Sequence, residues 1–399
     1  MISLVLSYVG LYFDNGSMLL YVLLGLISMW AVQKAKIIEV KTGKMASVLN
    51  KHYIAWGIVW VIVAVFRKVA FKLGGTDALN YIGFFEKCMH PNVESFYSHF
   101  YNDICYRWVN QLTYIFCSDY HAYFLVIYAF IVFSMMYFCS NYIPKRTNYI
   151  PFILLFYLFL RSFNTIRSNL AISVLMVACV FLLKRKYSVA FIVAIISVLF
   201  HKSSALFAMV IPFCWYFRTK TISLKFALCL FVISIIAVPV LQIFAIDFIT
   251  EQEIDGAYQS YISGNMGSSF WQAGWTIAFE QMLLGTFMLF SYRKMQRASK
   301  TNDEFDNSRM KIIWNICVFD MLLIPINFGL HIWRGYEYFY VARLVMWGYL
   351  IYLWVSTCHR QIRPLINFLL IIAFISWMIF RVYNTWEDSG LMPYVFDLF

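Results

Sequence analysis

The sequence predicts an all-α, polytopic integral membrane helix bundle of about twelve spans, with a long outer loop carrying surface helices, and three observations predict it. Apolar residues make up 62% of the chain and charged residues only 13%, outside the range of soluble domains, which could not bury so much apolar surface. The apolar residues fall in runs close to the length a hydrocarbon core demands, roughly 20 residues each. The 32 Lys and Arg residues crowd almost entirely into the gaps between those runs.

The first run, 17–33, follows Asp14 and lacks a basic leader, so it reads as a retained helix and not as a cleaved signal peptide. Runs at 53–71 and 121–142 come next, then four short ones at 150–163, 168–183, 187–201 and 203–217. Short runs suit helices whose ends are shielded by neighbours, or tilted, re-entrant or merged segments, which sets the count at roughly ten to thirteen. Runs at 226–246, 271–292, 312–331, 338–357 and 364–381 complete the bundle, so that 1–399 reads as one transmembrane domain with an extracytoplasmic loop at 67–120.

Lys and Arg concentrate in cytoplasmic loops. The loops after the odd-numbered runs hold 21 cations, among them Lys36, Lys145, Lys184, Lys220, Lys294, Arg309 and Arg363, against four acids; the opposite ends hold ten cations and 14 acids. Both termini are therefore expected outside the cytoplasm, and the net charge of +12 reports membrane topology and not a nucleic-acid partner. The nine cysteines show no CxxC or His-rich spacing, which argues against a metal centre. Cys88, Cys105 and Cys117 lie on or near the outer side and leave one disulfide open, with no spacing that favours it.

The outer segment is too long for a simple connection and is expected to be functional. Ala78, Tyr81, Ile82 and Phe85 recur at helical spacing, as do Ile104, Trp108, Leu112, Ile115 and Phe116 with Asp103, Arg107 and Asn110 between them. Two readings fit: helices lying along the membrane surface, or a cap packed on the bundle.

Four polar clusters break the charge rule or interrupt the apolar runs. Arg67, Lys68 and Lys72 precede Gly74-Gly75-Thr76-Asp77 and Tyr81; the glycines permit a turn and Thr76 or Asp77 can cap the next helix, but neither role explains cations on the disfavoured side. At the next outer hairpin, Arg161, Asn164 and Arg167 share a face if the stretch is helical. A guanidinium there suits a pyrophosphate through paired, charge-assisted hydrogen bonds; headgroup anchoring accounts for Arg161, whereas Arg167 lies beside Asn164 and Asn169. His201-Lys202-Ser203-Ser204 forms a third hairpin, in which Ser203 can cap the next helix and His201 reads either as an interfacial end group or as a proton acceptor near neutral pH. Finally, Arg334 and Tyr340 lead into Arg343, inside an apolar run. A cation there costs about 2.5–3.5 kcal/mol on insertion scales and must face a partner or a wet cavity. Tyr336, Tyr340, Arg343 and Trp347 line one face, with Asp320 and Glu280 as intramembrane counter-charges.

In the order Arg67…Gly75-Thr76-Asp77…Tyr81, Asn164-Thr-Ile-Arg167…Ala171, His201-Lys-Ser203-Ser204 and Tyr340-Val-Ala-Arg343, these segments resemble the EpsG/Wzy-type polysaccharide polymerases. The resemblance covers roughly residues 60–345. In that family a Gln often follows the hairpin Arg, where Ser168 and Asn169 stand here.

The resemblance implies a GT-C-like bundle in the bacterial cytoplasmic (inner) membrane. Its substrate would be an undecaprenyl-pyrophosphate-linked oligosaccharide, polymerised on the outer face into O-antigen, capsule or exopolysaccharide. The bilayer, a chain-length regulator and a flippase would be its partners, and it would need no cofactor or metal. Arg167 and Arg343, with Arg67 assisting, would stabilise the departing pyrophosphate, and Asn164, Tyr81, Tyr340 and Arg334 would bind pyrophosphate or glycan. His201 is the preferred general base, with Asp77 and then Glu280 as rivals. A lipid-linked oligosaccharide flippase and a membrane sugar O-acyltransferase remain as alternatives; no paired broken helices or half-to-half similarity favours a transporter.

Overall fold

Long apolar sequences without water to satisfy their backbone leave the α-helix as the local solution. The protein, in a computed structural model, is nearly all helical over the residues it describes, which are 15–42, 48–217, 220–251, 275–298, 304–330 and 337–397. Helix α1 (Asn15–Thr42) is followed by α2 (Lys51–Val65), the short helices α3 (Ala78–Lys87), α4 (Val93–Phe96), α5 (Ser98–Tyr101) and α6 (Ile104–Phe116), then α7 (Tyr120–Tyr142). A 3₁₀ turn (Ile150–Ile153) runs into α8 (Leu154–Arg161), followed by α9 (Ile166–Leu183) and α10 (Tyr187–Phe200). After a second 3₁₀ turn (Lys202–Ser204) come α11 (Ala205–Ala208), α12 (Val210–Tyr216), α13 (Leu224–Glu251), α14 (Trp275–Ala298), α15 (Glu304–Leu330), α16 (Tyr340–Val355) and α17 (Arg363–Ser389).

A helix, or a chain of short ones, lies within every run read as a span, but the second run, 53–71, is helical only to Val65. Five are long and apolar enough to cross a membrane among the described residues: Asn15–Thr42, Tyr120–Tyr142, Ile166–Leu183, Glu337–Val355 and Arg363–Thr385. Burial accounts for the first two of the four short runs, whereas α10, in the third, buries only Ala190, Ala194 and Ser197. All of Leu154–Leu160 in α8 is buried, and 83% of the α9 span is buried against 17% of the α17 span. A helix wrapped in other helices does not have to match the hydrocarbon thickness by itself, whereas peripheral α17 does. Where the helices do start, capping is local: Asn50 accepts from the His52 N–H (3.0 Å) ahead of α2 and Asp119 from the His121 N–H (2.6 Å) ahead of α7.

The basic loops gather at one end of the bundle, as the charge rule requires. Lys36 pairs with Glu39 (2.7 Å) and donates to the Ser140 carbonyl (3.1 Å), Arg309 donates to the Ile143 carbonyl (3.1 Å), Lys184 to the Tyr137 hydroxyl (3.2 Å), and Lys294 to Thr357 (2.9 Å).

At the opposite end, 78–116 folds into a cap. Phe84 stacks on Phe100 (5.5 Å) and Tyr106 (5.7 Å), Phe85 stacks on Tyr123 of α7 (4.8 Å), and the Tyr106 and Tyr123 hydroxyls hydrogen-bond at 2.7 Å. The two amphipathic helices of this segment bury different faces. In α3, Ala78, Tyr81, Ile82 and Phe85 are buried within the cap. In α6 it is Tyr106, Asn110 and Thr113 that are buried, while Ile104, Trp108, Leu112, Ile115 and Phe116 form an exposed stripe, the pattern of a helix whose apolar face meets lipid. Cys88, Cys105 and Cys117 are all free thiols, and burial pushes the Cys88 thiol up to about 11.

The cap meets the bundle through the glycine turn. Gly74 and Gly75 have φ of 72° and 111°, and a Cβ on Gly75 would lie 2.3 Å from the Phe163 carbonyl oxygen. The C-terminal residues strap this turn down: the Thr76 N–H donates to the Ser389 carbonyl (3.1 Å), the Lys68 N–H to Val395 (2.8 Å) and the Tyr120 hydroxyl to Asp397 (2.7 Å). The Gly75→Ala protein is therefore expected to lose more than the roughly 1–2 kcal/mol that positive φ alone costs a residue with a Cβ, read as a lower midpoint for thermal aggregation in detergent.

Candidate functional site

Residues 161–167 do not continue one helix, which corrects the expectation that Arg161, Asn164 and Arg167 share a helical face. Helix α8 ends at Arg161, Thr165 is non-helical (φ −133°, ψ 56°), and α9 starts at Ile166. Asn169 braces the turn by donating to the Thr165 carbonyl (3.0 Å) and hydroxyl (2.9 Å). The break sends the three polar side chains to three places. Arg161 bonds to Glu337 (2.8 Å), just ahead of α16, in place of the lipid headgroup expected for it. Asn164 accepts from the Asp77 N–H (2.7 Å), tying the hairpin to the glycine turn. Arg167 reaches the buried carboxylate of Asp103 at 2.6 Å, its guanidinium 4.5 Å from the Phe100 ring.

Asp103 is the hub of this cluster at the cap end of the bundle. It stands at the start of α6, is 4% exposed, and its Oδ2 is also 3.5 Å from Nδ1 of His201. His201 follows the last residue of α10 in extended backbone, so its ring is aimed by the hairpin and not by a helix face. Tyr81 packs edge-on against Phe100 (5.2 Å) and so belongs to the aromatic wall beside Arg167. Ser203 does not cap the following helix; its hydroxyl meets that of Tyr338 at 2.6 Å, joining the His201 hairpin to the entrance of α16.

Arg343 belongs to a second, deeper network. Its Nε is 2.7 Å from Asp320 and its Nη1 is 3.8 Å from Glu280, so both carboxylates expected from the sequence serve as counter-charges. Gln281 donates to Asp320 (2.7 Å), Arg381 contacts Glu280 (3.1 Å) and donates to the Tyr157 hydroxyl (3.1 Å), and the Trp377 indole donates to Glu280. Two guanidinium groups and two carboxylates balance here, as burial demands. Beside them a cavity of about 490 Å³ lies between α14, α16 and α17, lined by apolar and aromatic side chains such as Phe287, Trp347, Phe374 and Trp377, with Glu280, Thr286, Tyr340 and Arg343 as its polar residues. The buried Tyr340 hydroxyl has no hydrogen-bond partner among the described residues.

The remaining candidates are distributed differently. Arg67 is 1% exposed, donates to the carbonyls of Gly74 (2.8 Å) and Ala64 and to the Tyr128 hydroxyl (3.0 Å), and stacks on Phe124 (4.1 Å) and Phe163 (4.4 Å). This cage uses every guanidinium nitrogen and explains a cation on the disfavoured side without a ligand. Asp77 sits at the start of α3 without a side-chain capping bond, contrary to one of the two caps expected there. Glu280 lies in the Arg343 network and not beside His201. Arg334 and Tyr336 lie outside the described residues.

Arg167 and His201 are thus brought together through Asp103, Arg343 and Glu280 through their own network, and Arg67 joins neither. Asp103, Arg381 and Tyr157 carry these clusters and were not singled out from the sequence. Arg381 stood at the very end of its apolar run and so read as an end charge, unlike Arg343; Asp103 looked like the polar face of an amphipathic helix.

A family model described as the EpsG family matches residues 53–396. No curated protein and no solved structure matches the chain.

Proposed function

The chain belongs to the EpsG family, a Wzy-type polymerase family, and from that premise we propose that it polymerises polyprenyl-pyrophosphate-linked oligosaccharide repeat units at the outer end of a bundle of about twelve membrane helices. The observation that carries the reading is the outer cluster, where one buried carboxylate, Asp103, holds both Arg167 (2.6 Å) and His201 (3.5 Å). The reaction needs a cation for a departing pyrophosphate and a base for an attacking hydroxyl, and these are the two side chains on that carboxylate.

In the proposed step, a hydroxyl oxygen of the incoming repeat unit attacks the anomeric carbon of the growing chain. The bond from that carbon to the pyrophosphate oxygen breaks, the electron pair leaves with the polyprenyl pyrophosphate, and the hydroxyl proton passes to His201. Asp103 couples the two events electrostatically: once His201 is protonated, the carboxylate balances the imidazolium, and more of the Arg167 charge is left to stabilise the leaving group. The apolar cavity beside Tyr340 and Arg343 suits the isoprenoid of a carrier lipid, since it pairs aromatic walls with a polar end. Arg343 then serves as a second anion contact, and Arg67 keeps the glycine turn in place.

The test is the glycan ladder made from lipid-linked repeat units by reconstituted protein. The Arg167→Ala protein should insert normally and extend chains about 10²–10³-fold more slowly, the range for losing one preorganised donor. A single unextended repeat after loss of the protein is the polymerase outcome. Absence of exported repeat would instead identify a flippase, and full-length chains lacking acyl groups an acyltransferase.

A further inference from the structure

A second cavity, of about 390 Å³, lies at the opposite, basic end of the bundle, between the C-terminal half of α1, the 147–150 loop, the end of α16 and the start of α17. Its polar lining is rich in donors. Arg363 uses Nε and Nη2 to hold the carbonyls of Cys358 (3.0 Å) and Ser356 (2.6 Å), leaving Nη1 without a hydrogen bond among the described residues. Asn367 accepts from Asn148 through Oδ1 (3.2 Å), which leaves its NH₂ group available. The Thr147 hydroxyl, on a residue only 5% exposed, has no partner among the described residues, and the Gln33 amide also lines the cavity. No carboxylate stands among the lining residues, while Met29, Ile150, Val355 and Ile371 supply an apolar lip.

N–H and O–H donors lining one cavity with a single guanidinium, and no acid to neutralise it, match a phosphate's acceptor oxygens and negative charge. The apolar lip matches the chains attached to a lipid phosphate. We propose that this cavity is a phosphate-binding site, distinct from both clusters of the candidate active site, taking either the headgroup of an anionic phospholipid or a free phosphate. One cationic charge at the site favours a net anionic headgroup such as phosphatidylglycerol over zwitterionic phosphatidylcholine.

The full chain in nanodiscs containing equal amounts of these two lipids, examined by native mass spectrometry, should retain phosphatidylglycerol with about a tenfold preference, equivalent to roughly 1.4 kcal/mol. Asn367→Leu and Thr147→Val should each reduce that preference while leaving the Arg363 contacts to Ser356 and Cys358 intact; Arg363→Ala should abolish it. In lipid-depleted detergent, inorganic phosphate should raise the unfolding temperature of the parent protein and not that of the Asn367→Leu protein. A phosphate-dependent shift without a lipid preference would assign the site to free phosphate. A lipid preference that survives all three substitutions, or neither response in the parent protein, would overturn the proposal.

Discussion

Chain extension by the Asp103→Asn protein is expected to fall about 10²-fold, with the loss in kcat and little change in KM. The substitution is nearly isosteric and leaves one neutral acceptor for Arg167, but it removes the negative charge that lies 2.6 Å from Arg167 and 3.5 Å from His201. General-base assistance contributes about 10²–10⁴-fold where a base is correctly oriented and its conjugate acid is stabilised, and both conditions depend on this carboxylate. A hydrogen bond to a charged partner contributes about 1.5–3 kcal/mol, so some stability should be lost as well, and the kinetic split is the decisive readout. Asp103→Glu should recover part of the rate by restoring the charge. If Asp103→Asn lowers thermal stability yet extends repeat units at the parental kcat, Asp103 is a structural partner of Arg167 and the base must be sought elsewhere.

The Arg343→Ala protein should suffer twice. Asp320 is 1% exposed and Arg343 2%, so removing the guanidinium strands a carboxylate away from water, and breaking a buried pair from one side costs about 3–5 kcal/mol. Glu280 would keep Arg381 at 3.1 Å, so the damage should centre on Asp320. Extension should also fall about 10²–10³-fold if Arg343 stabilises pyrophosphate charge. These effects separate in a double variant: Arg343→Met with Asp320→Leu removes both charges with similar volume and should regain most of the stability, since such replacements are often neutral or stabilising. Its thermal midpoint should return toward that of the parent while extension stays low. Recovery of both would reduce Arg343 to an architectural ion pair.

The two arginines differ in how much of their role was legible in the sequence, for a physical reason. A charge in an apolar run must find a partner, and the candidates are few enough to name, so Asp320 and Glu280 could be paired with Arg343 in advance. Arg167 sits at a helix end where water, lipid headgroups and the outer cap all offer partners. The one it uses lies 64 residues away, in a helix whose amphipathic pattern accounted for Asp103 without any site. Arg67 shows the converse case. Its position against the charge rule pointed to an anion, but three aromatic rings and three hydrogen bonds satisfy it internally, and a cation held by π-faces leaves no mark in local sequence.

By itself the sequence determined the helical class, the approximate position of the described helices and which loops share an end of the bundle, because composition, run length and charge bias act segment by segment and need no knowledge of neighbours. Tertiary structure alone decided that α8 is sheathed and α17 peripheral, that the 161–167 stretch breaks so that Asn164 holds the glycine turn while Arg167 reaches Asp103, and that the polar residues divide into a cluster at the cap and a deeper one. Those outcomes depend on which side chains are brought within about 3 Å of one another, the range over which hydrogen bonds and close ion pairs act, and contacts at that range are set by packing between distant segments.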